Sequence, residues 1–355
     1  MQIRKKFYCL CLKKNLNIDN FATVKEELAK KKRVMKTGRI KYIDFFKGIG
    51  IILMLAGHMA FGGLPGVGDL AEKYIHAFHM PMFFIISGYF YHKKTNYISF
   101  IKGKSKTLLI PYIVFGGGYS LIWYLSNRDL SPIFRLLWIN DYDLPYEGAL
   151  WFLTALFLAT ILFDAIHRFF KKEAIIFIMC LLCVLIGHIT CFFYIQLPWS
   201  LDAALVGVGL MYVGKIIQKK KELLELRWQV TIIVALIIGI LININDPVDM
   251  NEGTYSNIIL FWLNAVGATI VGLNWSRYFC EKLPDNMISD FISWIGNNSI
   301  IFLCCNHIPI LVVSKILIRI HWANTLLGLV LSILLISVIG QIFLKTPLRR
   351  ILGKM

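Results

Sequence analysis

Apolar runs of membrane length recur along this chain, divided by short polar and basic stretches. Ten can be marked, at residues 42–61, 74–91, 107–125, 150–167, 174–194, 201–217, 228–244, 257–275, 295–313 and 325–344. A helix needs about 20 such residues to cross the hydrocarbon of a bilayer. The pattern therefore predicts an all-α polytopic membrane protein of about ten transmembrane helices. Ionisable residues that lipid would exclude are concentrated in the first two runs. Such residues face a cavity, a partner or a substrate.

Helical spacing shows how those residues group. Lys47 and His58 are separated by ten residues, which places them roughly 16 Å apart on almost the same helix face. Asp44 lies one turn before Lys47, at the i, i+3 spacing of an ion pair. In the second run His76, His79, Phe83 and Ser87 share a face, and Pro81 is expected to kink the helix and free a carbonyl. Because the second helix returns through the membrane, His79 should reach the depth of His58.

Composition supports the membrane reading: 57% of residues are hydrophobic and the mean hydropathy is +0.64. The net charge of +17 would suggest a nucleic-acid partner only if it were spread evenly. Placed on ten spans with both termini in the cytoplasm, all but five of the 38 Lys and Arg residues fall on the inner side. That asymmetry is the positive-inside signature, so the excess charge reports topology and calls for no nucleic acid. The expected location is the inner (cytoplasmic) membrane. Acidic residues gather instead in outer loops, at 141–147 and 245–252.

The expected organisation is a basic cytoplasmic leader at 1–38, a transmembrane domain at 39–346 and a basic cytoplasmic tail at 347–355. The leader reads either as an amphipathic arm near anionic lipid or as sequence upstream of a start at Met35. The eight cysteines lie in apolar helices or on the cytoplasmic side and read as reduced thiols. Cys180 and Cys183 have CxxC spacing without further ligands, and His76 with His79 lacks a third, so no metal is expected. The outer loop 126–148 carries Trp138, Tyr142, Tyr146 and carboxylates. This composition suits either a sugar or an ordinary interfacial aromatic belt.

The stretch YIDFFKGIGIILMLAGH followed by FHMPMFFIISGYF resembles the opening of the acyltransferase 3 family of integral membrane acyltransferases, and its fucose O-acetylase type most closely. The family shows a basic residue, ten residues and a His; Lys47 and His58 match. A second family motif, two arginines three apart, is degenerate here: KGKSKTLLIPY offers Lys104 and Thr107 with Lys106 between them. Lysine keeps the charge but lacks the bidentate fork toward phosphate. Further likenesses are Leu150, Trp151 and Phe152, then Asn298, Ser299 and His307, so the resemblance spans roughly residues 39–344.

The resemblance implies transfer of acetyl from acetyl-CoA to a sugar hydroxyl of a surface polysaccharide or lipid-linked glycan. Such a reaction requires a base, oxyanion donors and cations for the coenzyme phosphates. His58 is the expected base; His79, Ser87, Asn306 and His307 are expected to orient it or to donate to the oxyanion; Lys47, Lys104 and Lys106 are expected to hold the phosphates. A secondary transporter of a glycan or small anion is the alternative, although the ionisable residues cluster in two spans instead of matching halves. A catalytically inactive scaffold is the third reading, kept open by Lys104 and Thr107.

Overall fold

The computed structural model describes residues 40–93, 96–140, 149–283 and 286–353. The leader at 1–38 and the acidic, tyrosine-bearing segment 141–148 lie outside them. The described chain is all-helical. In order it runs α1 Lys41–Gly57, a 3-10 turn Met59–Gly62, α2 Asp69–His76, α3 His79–Tyr89, α4 Tyr97–Lys104, a π-helical turn Ser105–Leu109, α5 Ile110–Asn127 and α6 Ser131–Leu137. There follow α7 Trp151–Phe169, α8 Glu173–Phe192, α9 Leu201–Lys219, α10 Trp228–Ile244 and α11 Ile258–Lys282. The last elements are α12 Met287–Asn297, α13 Ser299–Cys304, α14 His307–Arg319, α15 Thr325–Lys345 and a 3-10 turn Pro347–Arg350.

Among the described residues six helices are long and apolar enough to cross a membrane: Tyr97–Asn127, which runs through the π turn, α7, α8, Pro198–Lys219, α11 and α15. The expected count of about ten transmembrane helices is not confirmed by these six. The run at 228–244 forms α10, at 17 residues shorter than the others. The runs at 42–61, 74–91 and 295–313 are broken into shorter pieces. Two of the breaks have one cause. Proline excludes the carbonyl four residues before it and has no N–H to offer, so a helix restarts with the proline in its first turn. Pro81 is the third residue of α3, behind a break at Ala77–Phe78. Pro309 is the third residue of α14, behind a break at Cys305–Asn306. The kink expected at Pro81 is thus a full interruption displaced three to four residues upstream.

Helix α9 is the centre of the packing, against α3, α7 and α8. Its approach to α3 is backbone on backbone. A Cβ on Gly214 would stand 1.9 Å from the Ile85 carbonyl oxygen, and one on Gly88 would stand 2.0 Å from that of Met211. Close contact through small residues is how helices associate where lipid removes the hydrophobic drive. The 3-10 turn after α1 packs on α14 through Gly62 and Ser314, which carries His307 toward His58.

Candidate active site

Every histidine singled out from the sequence lies at a helix end. His58 follows the last residue of α1. His76 and His79 close α2 and open α3 across the interruption. His307 is the first residue of α14. The two restarts share a tripeptide, His79-Met80-Pro81 and His307-Ile308-Pro309. In each, the proline two positions on ends the preceding helix and leaves the His at the new N-terminus.

These ends converge. His58, His76 and His79 line one cavity of about 160 Å³, with Met54, Trp151 and Asp249 among its other walls. His307 packs on His58 with ring centroids 5.0 Å apart, and Phe61 closes on His307 from the side at 4.3 Å. His76 and His79 lie 5.2 Å apart. The Nδ1–H of His79 donates to the Ile75 carbonyl at 2.8 Å. A carbonyl only accepts, so that bond fixes the proton on Nδ1 and leaves the Nε2 lone pair unprotonated.

The cavity is roofed by the 245–257 loop. Val248 and Met250 are buried on either side of Asp249, and the Asp249–Thr254 bridge holds the turn. The Asn251 backbone N–H donates to Asp249 Oδ1 at 2.7 Å. Asp249 Oδ2 then comes 3.8 Å from His76 Nδ1. A third of the Asp249 side chain (34%) stays accessible, yet crowding over the rest pushes its carboxyl above the ordinary value, against the pull of His76.

At the other end of the same helices lies a larger cavity of about 1150 Å³. Lys47 of α1, Ser87 of α3 and Lys104, Lys106 and Thr107 of the π-turn region line it, together with Tyr91 and Thr160. Lys47 pairs with Asp44 at 3.1 Å, as the spacing required. The π turn has a local cause, because Pro111 cannot donate to the Thr107 carbonyl four residues back. The Thr107 hydroxyl donates to the carbonyls of Gly103 and Lys104, each at 3.2 Å. Arg349 and Arg350 from the C-terminal 3-10 turn complete the wall, and none of its described residues is a carboxylate.

Two helices therefore join a histidine cavity to a cationic one. The separation is about 16 Å along α1, from Lys47 to His58, and about 12 Å along α3, from Ser87 to His79. Between them Phe83 and Met82 pack on Gly50, and Phe83 also meets Phe152. Ser87 shares a helix face with His79 but opens into the cationic cavity, away from the imidazoles.

A family model described as an acyltransferase domain matches residues 40–342. The chain belongs to the acyltransferase 3 family. Its apolar helices are those of a multi-pass membrane protein. It is also 31% identical over 140 residues to the nodulation protein NolL of Mesorhizobium japonicum, a match covering 36% of this chain and 35% of that protein. The chain thus spans about a third of the length of that relative. No solved structure matches the chain.

Within the family frame, the structure gathers His58, His79 and His307 at one end, and Lys47, Ser87, Lys104 and Lys106 at the other. Asn306 is buried at the α14 restart, where its side chain donates to the Leu303 carbonyl. Sequence reasoning missed Asp249 and the two arginines. Asp249 was one acid in an acidic loop and the arginines were part of a basic tail, so neither had a distinguishing spacing. His76, given no part in the chemistry by the sequence, is a wall of the histidine cavity. The repeated His-X-Pro tripeptide was the available signal for the broken helices.

Proposed function

We propose that this acyltransferase moves an acetyl group from acetyl-CoA, held in the cationic cavity, to a sugar hydroxyl presented at the histidine cavity. The acceptor is a cell-surface polysaccharide or lipid-linked glycan, and the enzyme works in the inner membrane with the Lys47 end toward the cytoplasm. The observation that carries this reading is the pair of cavities at opposite ends of α1 and α3. Among the described residues, one is lined by cations without carboxylates, the other by imidazoles. A cavity wall rich in positive charge favours a polyanion, and the coenzyme brings one. Its thioester supplies the activated acyl group.

The residues then divide the work. Lys47, Lys104 and Lys106 hold phosphate. His58 takes the proton of the sugar hydroxyl as general base, the hydroxyl oxygen displaces the coenzyme thiolate from the acetyl carbonyl, and that proton passes to the thiolate, which leaves as coenzyme A. His79 presents a lone pair at Nε2, since Nδ1–H is committed to Ile75, so it accepts a bond from a second sugar hydroxyl and does not donate to the oxyanion. His307 braces the His58 ring. Asp249 holds His76 at the cavity mouth. Phe83 and Met82 lie between the two cavities, where the thioester arm must pass to reach the hydroxyl at His58.

The test is labelled acetyl-CoA supplied to membranes carrying wild type, His58→Ala or Lys47→Ala at matched abundance. Label entering the glycan with wild type and lost in both variants supports the reading. An unlabelled glycan with wild type sinks the donor or the acceptor assignment.

A further inference from the structure

The C-terminal tail takes a course that a merely topological basic segment would not need. After α15, the turn Pro347–Arg350 leads into residues 351–353, and Leu352 is almost fully buried. Gly353 adopts φ +67° against the π turn, where a Cβ would stand 2.7 Å from the Lys106 carbonyl oxygen and from Thr107 Cα. That anchoring sets Arg349 and Arg350, both exposed, at the wall of the cationic cavity. No carboxylate among the described residues pairs with either arginine. They are also the guanidinium groups in that wall, whose other fixed cations are Lys47, Lys104 and Lys106.

The chemistry of the two side chains differs. Lysine meets phosphate as a point charge, whereas arginine meets it with a planar fork of two parallel N–H donors. The π-turn stretch offers lysines and a threonine, so it attracts a phosphate without gripping its oxygens in a plane. The tail brings the missing forks to the same cavity from the far end of the chain.

We propose that Arg349 and Arg350 bind the adenosine 3′-phosphate of the coenzyme. This rests on the acetyl-CoA reading above. The two arginines are exposed while Lys47 is mostly buried, its side chain 21% accessible, so the cations run from the cavity mouth inward. The nucleotide end, with its terminal phosphate, lies at the mouth, and the thioester end points toward Ser87 and Thr160. An anionic lipid headgroup carries the same phosphate chemistry, so the test separates the two sources.

The experiment is calorimetric binding of coenzyme A and of 3′-dephospho-coenzyme A to the full-length protein in nanodiscs of phosphatidylcholine, repeated with phosphatidylglycerol added. Wild type binds coenzyme A about tenfold more tightly than the dephospho form, ~1.4 kcal/mol, in both lipids. In Arg349→Gln/Arg350→Gln the preference falls to about twofold, through weaker binding of coenzyme A alone. If that variant melts early, Arg349→Lys/Arg350→Lys carries the test, with a preference between the two values. Equal discrimination in wild type and both variants overturns the assignment while the donor reading stands. A dependence on the arginines seen only with phosphatidylglycerol assigns them to lipid and overturns it too. Wild type binding neither nucleotide removes the donor reading itself.

Discussion

The crossing of α3 and α9 determines how well the site is held, and Gly214→Ala is the smallest change that disturbs it. The added Cβ would stand 1.9 Å from the Ile85 carbonyl oxygen and 2.7 Å from the Tyr89 nitrogen. Both are backbone atoms of α3, so no side-chain rotation relieves the clash. Real Cβ contacts essentially never fall under 3.0 Å, so the helices must part by more than 1 Å. Forcing a well-packed contact apart costs about 1–3 kcal/mol. Because α3 carries His79 at its start and Ser87 near its end, the same shift displaces both cavities, and a misplacement of ~1 Å costs about 100-fold in rate. The control is Gly117→Ala, whose Cβ meets nothing within 4 Å and which gains ~1 kcal/mol of helix propensity. Thermal unfolding in one detergent checks both, read as intact protein on size exclusion after heating. Gly214→Ala should melt several degrees below wild type, and Gly117→Ala at or above it. Gly214→Ala melting with wild type would refute the backbone-contact argument.

Two further predictions concern single carboxylates. Asp164 is fully buried, accepting from the Tyr91 hydroxyl at 2.8 Å and from Arg168, so Asp164→Ala strands both partners and should cost about 3 kcal/mol in unfolding experiments; a loss within experimental error would contradict the pairing. Asp249 introduces a pH dependence. Burial, with Glu252 adding to it and His76 opposing it, holds its carboxyl above the ordinary 3.8. A raised native value means that its contribution to stability is complete below pH 3.8 and lost as pH rises through the raised value. Asp249→Asn keeps an oxygen for the Asn251 N–H and removes the charge. It should therefore raise the melting temperature relative to wild type at pH 7, with the gain shrinking as pH falls toward 4; an equal gain at both pH values would contradict the burial argument.

Residues at fixed short spacing were legible in the sequence. The Asp44–Lys47 pair follows from helix geometry alone, and so does the separation of Lys47 from His58 by about 16 Å along one face of α1. The membrane character was equally plain, because apolar runs of that length have few soluble explanations. Continuity was not legible. Hydropathy reports whether a run is greasy and is blind to whether its backbone is unbroken, so 74–91 and 295–313 each read as one span although Pro81 and Pro309 divide them. Partners distant in sequence were also invisible. Nothing near Asp249 announces His76, and nothing near Arg349 announces Lys104, since only the fold brings the 245–257 loop and the tail back to cavities built by the first helices.

The central claim is that donor and chemistry occupy separate cavities, and steady-state kinetics test it most directly. In nanodiscs, with acetyl-CoA varied against saturating acceptor, the account predicts a clean division. Lys104→Ala raises KM for acetyl-CoA with kcat nearly unchanged, the pattern of lost binding. His58→Ala lowers kcat by at least about 100-fold, the usual cost of losing a general base, with that KM unchanged. Retention of wild-type kcat by His58→Ala, or both variants moving the same constant, would contradict it.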